Sequence, residues 1–138
     1  MPKPRKLDDD EIVYRAVANY KGISGSGELR DGLYLRRLPN PETGAARDVQ
    51  GVSVALSYEA AVTLCPHRLA VCSIRVGDIR SISADLDVVI SHGNHANITG
   101  MPYPTGIDLK LALDMAIELL ELSTIVEHSL TFKLRRDS

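Results

Sequence analysis

The sequence predicts a single α+β domain with a twisted, mostly antiparallel sheet, one short helix and one long helix. Residues 51–77 have the pattern of a strand, a short helix and a second strand, which together form a compact α/β unit. Residues 105–126 carry the longest segment of helical apolar periodicity. Short alternating segments outnumber these helices, which favours an α+β fold over a helical bundle. At 138 residues the chain fits one domain with its own core.

Composition and charge are typical of a globular protein. Apolar residues make up 44% of the chain and charged residues 25%, which argues against disorder and against a coiled coil. The formal net charge of −2 gives no global attraction to nucleic acid or anionic lipid, so neither is an expected partner. No apolar run is long enough to span a membrane, and the first ten residues lack the apolar centre of a secretion signal. The expected location is the cytoplasm.

The first elements are a tail and a strand. Residues 1–10 are charged and contain prolines, which predicts a mobile tail ahead of a domain spanning residues 11–138. Residues 11–18 alternate as a strand, and Arg15 falls on the same side as apolar neighbours. An arginine in that position points to a specific role.

Two loops and another strand are predicted next. Residues 22–27, which read GISGSG, and residues 39–50 have the composition of loops. The apolar segment between them predicts a strand over residues 33–38. The glycine-rich loop lacks the lysine that follows the glycines of a phosphate-binding P-loop, so we interpret it as a connector.

The central unit combines two strands and a capped helix. Residues 52–56 alternate as a strand with one strongly apolar face. Ser57 is predicted to cap a short helix that must end before Pro66, because its hydroxyl can accept a hydrogen bond from a free backbone N–H. Residues 69–76 then form a second strand, and residues 77–82 turn the chain, with a short helical turn as one way to do so.

The last third of the chain contains further strand patterns and the long helix. Residues 86–90 are a predicted strand, and residues 95–99 are either its continuation or a partner strand across a turn. In both cases His92 and His95 flank the turn. Thr105 begins a T-x-x-D capping pattern, which predicts a helix from Asp108 to about Val126. Residues 130–135 alternate cleanly as a final strand.

Histidine and cysteine were considered first as sources of chemistry. Two cysteines and three histidines could in principle supply zinc ligands, namely Cys65, His67, Cys72, His92 and His95. They lack the C-x-x-C spacing of structural zinc sites, so no metal site is expected. A cysteine nucleophile is also disfavoured, because Cys65 lies at the C-terminal end of a predicted helix, where the helix dipole does not stabilise a thiolate.

A further set of candidate residues lies on or beside the ends of the predicted strands. It comprises Arg15, Ser53, Ser57 and the HGNHAN segment at residues 92–97. The order YR, GLYL, GVSVALSYEAA and AVCSIRV over about residues 14–76 resembles the layout of the ADP-ribosyltransferase-like superfamily, including its RNA 2′-phosphotransferase branch. The resemblance implies an NAD-type nucleotide as ligand, with Arg15 on a phosphate or ribose and Ser53 against the nicotinamide-side ribose.

The resemblance stops at the catalytic acid of those transferases. Their late-strand glutamate has no clear counterpart, because the corresponding region reads HANI, and the nearby glutamates fall in the long helix or at its end. His95 and Asn97 project to the same side if this segment is a strand, so they are the candidate substitutes. We therefore expect His95 to act as acid or base and Asn97 to contact the ligand.

Two hypotheses about function remain open from the sequence. The first is a nucleotide-binding transferase of NAD type, as the resemblance implies. The second is a non-catalytic interaction or regulatory domain that forms a homo-oligomer through the long helix, whose apolar residues extend beyond one face. In that case Arg15 would pair with an acid at a sheet edge, Ser53 would be an ordinary strand residue, and the histidines would be exposed turn residues.

Overall fold

The computed structural model describes residues 6–128, which form one open sheet with three α-helices in that range. The strands are β1 (Ile12–Val17), β2 (Val52–Ala55), β3 (Ala70–Arg75), β4 (Asp87–His92), β5 (His95–Thr99) and β6 (Thr124–His128). The helices are α1 (Tyr58–Leu64), α2 (Val76–Ile82) and α3 (Leu109–Glu121). The strand order is β4-β5-β2-β1-β3-β6, and all neighbours are antiparallel. The predicted single-domain α+β fold is confirmed.

The sheet is loosely joined at its centre. β1 pairs with β3 along its whole length, but it pairs with β2 only where Tyr14 lies opposite Ala55. On the other side, β2 pairs with β5 at four positions. Because β1 and β2 share one pair, the sheet divides into two well-paired halves with a gap between them.

The two faces of the sheet are covered differently. One face packs under α3 and the loops to form the main core, which includes Val17, Val54, Ile98, Ala116 and Leu119. The other face carries α1, and a smaller cluster forms there from Ala55, Ala61 and Val71. Apolar burial on both faces drives this arrangement. The small second cluster leaves part of that face available for a site.

The predicted central unit is confirmed. Ser57 is the N-cap of α1, and its hydroxyl accepts a hydrogen bond from the Ala60 backbone N–H at 3.1 Å. The helix ends at Leu64, before Pro66. β2 and β3 occupy the positions expected on either side. Of the two alternatives for residues 95–99, the partner strand is observed, and His92 of β4 lies opposite His95 of β5.

The predicted strand over residues 33–38 is wrong. A short 3-10 helix, Asp31–Leu33, occupies its start, and the segment joins no strand. Leu33 and Tyr34 are both buried although they are adjacent, which an alternating strand with one buried face does not allow. Side-chain contacts hold the segment instead: Arg36 donates to the Asp48 and Met101 carbonyls and lies 3.7 Å from the centre of the Tyr103 ring.

The bounds of the long helix also differ from the prediction. A 3-10 turn (Gly106–Asp108) precedes α3, and neither Thr105 nor Asp108 makes a side-chain capping hydrogen bond. The helix ends at Glu121 rather than near Val126, and the next residues form β6 against β3. The physical reason is that Thr124, Ile125 and Val126 are β-branched and find a strand partner.

Three other predicted segments have different outcomes. Residues 77–82, predicted to turn the chain with a short helical turn as one option, belong to α2. The predicted strand over residues 130–135 lies outside the described residues, as do residues 1–5 of the predicted tail. The remaining tail residues contact the domain, because Leu7 is 2% exposed and Asp9 forms a salt bridge with Arg80 at 2.7 Å.

Candidate functional site

Arg15 occupies the gap between β1 and β2. Its Nε donates to the Leu33 carbonyl at 2.7 Å, and its Nη1 donates to the Ser53 carbonyl at 2.6 Å. Burial lowers the pKa of this guanidinium, although an arginine stays charged at neutral pH. Among the described residues no carboxylate forms a salt bridge with it. The structure therefore holds a half-buried cation against two backbone carbonyls, and the charge of Asp48 acts on it without forming a salt bridge.

A cavity of about 440 Å³ lies at this gap, and we call it the arginine cavity. Its charged lining consists of Arg15, Lys21, Arg37 and Asp48. Arg37 binds Asp48 at 3.0 Å. Partial burial raises the pKa of Asp48, but hydrogen bonds from the Arg37 side chain and backbone outweigh it and hold the pKa below its usual value. With three cations against one carboxylate, the cavity favours an anionic ligand.

A second cavity of about 730 Å³ adjoins the first, and we call it the histidine cavity. Ser53 and Asp48 line both cavities, so β2 lies between two parts of one site. His95 Nε2 lies 2.5 Å from Ser53 Oγ, and His95 Nδ1 lies 2.5 Å from Ser91 Oγ. Both nitrogens of the ring are therefore held by serine hydroxyls.

The hydrogen bonds around Ser91 favour one tautomer of His95. Ser91 Oγ donates to the His95 carbonyl at 3.1 Å. A serine hydroxyl has one proton, so in this arrangement Ser91 Oγ accepts from Nδ1–H, and the Nε2 lone pair faces Ser53. Burial, and then the nearby His92 ring, lower the pKa of His95. Both observations favour a neutral imidazole at pH 7 with its Nε2 acceptor directed at the Ser53 hydroxyl.

Asn97 completes this part of the site. It lies directly opposite Ser53 in the pairing of β2 with β5, so both side chains project to the same face. Only 7% of Asn97 is exposed, and its Nδ2 donates to Gln50 Oε1 at 3.3 Å. An amide nitrogen has two hydrogens, so this bond leaves one available.

The structure brings together all four residues that the sequence singled out: Arg15, Ser53, His95 and Asn97. The roles assigned to them stay predictions. Sequence reasoning did not place Lys21, Arg37, Asp48 or Ser91 at the site. Two of them had a sequence signal: Arg37 belongs to a basic pair with Arg36 that could contact an anion, and Ser91 lies four residues before His95 across the turn. The other two come from irregular loops, whose paths no periodicity predicts.

Other residues considered from the sequence are engaged elsewhere. Cys72 is buried, its thiol lies 3.4 Å from the Tyr34 hydroxyl, and burial raises its pKa, which opposes a nucleophilic role. Glu127 was expected at the end of the long helix but lies on β6. Its carboxylate binds Arg68 at 2.6 Å and accepts from the Tyr58 hydroxyl.

Comparison of the chain with protein-family models, curated proteins and solved structures gives no match. Within residues 6–128, no helix has the length and apolarity needed to cross a membrane. The same range contains no cluster of three or more histidine, cysteine, aspartate or glutamate side chains suited to a metal ion. Evidence on function therefore comes from the geometry of the two cavities.

Proposed function

We propose that this chain is a nucleotide-binding transferase domain that resembles the ADP-ribosyltransferases and takes an NAD-type ligand in the arginine cavity. Arg15 contacts a phosphate or ribose of the ligand, Ser53 contacts the adjacent ribose, and Asn97 contributes a further hydrogen bond. His95, whose Nε2 faces the Ser53 hydroxyl, acts as the acid or base.

The proposal rests on the half-buried cation of Arg15, which two backbone carbonyls hold in the gap between β1 and β2. Partial removal of a charged group from water has a free-energy cost unless other groups compensate for it. The two carbonyls supply part of that compensation, and a phosphate would supply the rest through charge-assisted hydrogen bonds. Arg37 and Lys21 on the same cavity add to the attraction for an anion. A pyrophosphate-containing ligand matches this concentration of positive charge.

A thermal-shift panel tests the proposal. We expect NAD or ADP-ribose to raise the Tm by several degrees, since ligand at 100 times its Kd adds about 2.7 kcal/mol to the stability. Nicotinamide alone is expected to give little or no shift, because it lacks the phosphates. In Arg15→Gln the shift with NAD should disappear, measured against that variant's own ligand-free Tm.

Arg30→Gln is the matched control. Arg30 is exposed, donates to the Tyr20 carbonyl and lines neither cavity, so its loss should leave the shift unchanged. An absence of any shift across the nucleotide panel contradicts the proposal. An undiminished shift in Arg15→Gln contradicts the assigned role of Arg15.

A second candidate is a homo-oligomeric interaction domain, and one stripe of α3 favours it. Leu109 and Ile117 are 44% and 43% exposed, and the half-buried Leu113 and Leu120 lie on the same stripe at helical spacing. We expect sedimentation velocity to show a concentration-dependent dimer that Ile117→Lys dissociates. A monomer at all concentrations contradicts this candidate, and Glu118→Lys, one residue away, controls for added charge.

A further inference from the structure

We propose that Ser53 is a nucleophile, activated by His95, and that the two cavities together cleave an ester that carries a negatively charged group. This activity goes beyond nucleotide binding. It depends on four side chains that the sheet holds on or beside one face: Ser53, His95, Ser91 and Asn97. Each has a role that the hydrogen bonds define.

The base is already in contact with the nucleophile. Ser53 Oγ lies 2.5 Å from His95 Nε2, and in the tautomer that the Ser91 hydrogen bonds favour, that nitrogen accepts the Ser53 proton. Contact between a hydroxyl, a neutral imidazole and a third group that orients the ring is the arrangement that activates serine nucleophiles. Ser91 is the positioning residue here, because it acts only through His95.

Stabilisation of negative charge is available on two sides of Ser53. Asn97 lies directly opposite on β5, and its Nδ2 retains one hydrogen to donate to an oxyanion. Arg15 lies 2.6 Å from the Ser53 carbonyl, so a permanent positive charge lies next to the reacting residue. The arginine cavity on that side would hold the anionic part of the ester, and the histidine cavity the remainder.

The reaction balances with water as the only co-reactant. Ser53 Oγ forms a bond to the carbonyl carbon while its proton passes to His95 Nε2. The carbon–oxygen bond to the leaving alcohol breaks, and the alcohol takes the proton from His95. Water then attacks the acyl-serine, gives its proton to His95 and releases the acid, after which the proton returns to Ser53.

Labelling with diisopropyl fluorophosphate tests the nucleophile without knowledge of the natural ester. Ser53 Oγ bonds to phosphorus, fluoride leaves, and the Ser53 proton passes to His95. We expect one adduct by intact mass, mapped to Ser53 by peptide sequencing and absent from Ser53→Ala. His95→Gln should slow labelling at least about 100-fold, whereas His67→Gln, whose exposed side chain lines neither cavity, should not.

The positioning role of Ser91 is tested by two measurements, the labelling rate and the ¹⁵N shifts of the His95 ring. Ser91→Ala should slow labelling by about an order of magnitude and change the ¹⁵N shifts of the His95 ring from the Nδ1–H tautomer toward a mixture. Ser91→Thr, which keeps the hydroxyl, should restore both. Ser81→Ala, which removes an exposed hydroxyl outside both cavities, should label like the unmodified protein.

Three results would overturn this inference. They are no adduct at Ser53, equal labelling rates in His95→Gln and the unmodified protein, or an Nε2–H tautomer of His95 in the NMR spectrum of the unmodified protein. The last measurement needs no variant, so it holds even if a substitution impairs folding. The nucleotide proposal fails separately, because labelling of Ser53 does not depend on a thermal shift with NAD.

Discussion

Replacing Gly51 by alanine is expected to lower the free energy of unfolding by about 3 to 5 kcal/mol. Gly51 has a φ of +124°, a conformation that is strained for any residue with a side chain. An added Cβ would also lie 2.1 Å from the Ile98 carbonyl oxygen, which is backbone of β5 and cannot rotate away. Urea denaturation followed by circular dichroism measures the loss.

Gly44→Ala separates the two causes of that loss. Gly44 also has a positive φ, +73°, but no atom lies within 4 Å of an added Cβ. We expect a loss of only about 1 kcal/mol there, from backbone strain alone. Equal losses at the two positions would show that the close approach of Gly51 to β5 has no energetic weight. A large loss at Gly51 alone would show that the close approach of Gly51 to β5 fixes the position of the start of β2. Ser53, two residues later, depends on that position.

Leu119→Ala is expected to cost about 2 to 5 kcal/mol of stability, because it leaves a cavity under the sheet. Leu119 is fully buried and belongs to the main core, which also contains residues of several strands. The side chains around it cannot all collapse into the vacated volume, since the core is close-packed. The same denaturation experiment measures this loss, and the m-value should stay unchanged if unfolding remains two-state.

Leu111→Ala on the same helix provides the control. Leu111 is 49% exposed, so truncating it removes little buried surface and should change stability by no more than about 0.5 kcal/mol. A comparable loss in both variants would mean that α3 does not cover the sheet through the face that carries Leu119. The pair therefore tests the placement of the longest helix as well as its packing energy.

Periodicity predicted the regular parts of the fold, and it failed where contacts from distant residues decide the structure. β2, α1 and β3 follow from alternation and a serine cap, both of which are local. Residues 33–38 have an apolar pattern that also fits a strand, but no strand partner is adjacent, and Arg36 and Tyr34 anchor the segment by their side chains. The α3 helix ends at Glu121 because the residues that follow form β6 and pair with β3. Helical periodicity in the sequence does not reveal that pairing.

The sequence by itself determined that Arg15, Ser53, His95 and Asn97 lie on strands and that two histidines flank a turn. Local propensity and alternation suffice for that, because they depend on residues close together in the chain. Only the tertiary structure decided that these four residues meet. That outcome depends on the strand order, on the single pair that joins β1 to β2, and on the register that places Ser53 opposite Asn97. The same folding brought Ser91 and Asp48 to the site, because loop paths and register are set by packing across the whole domain.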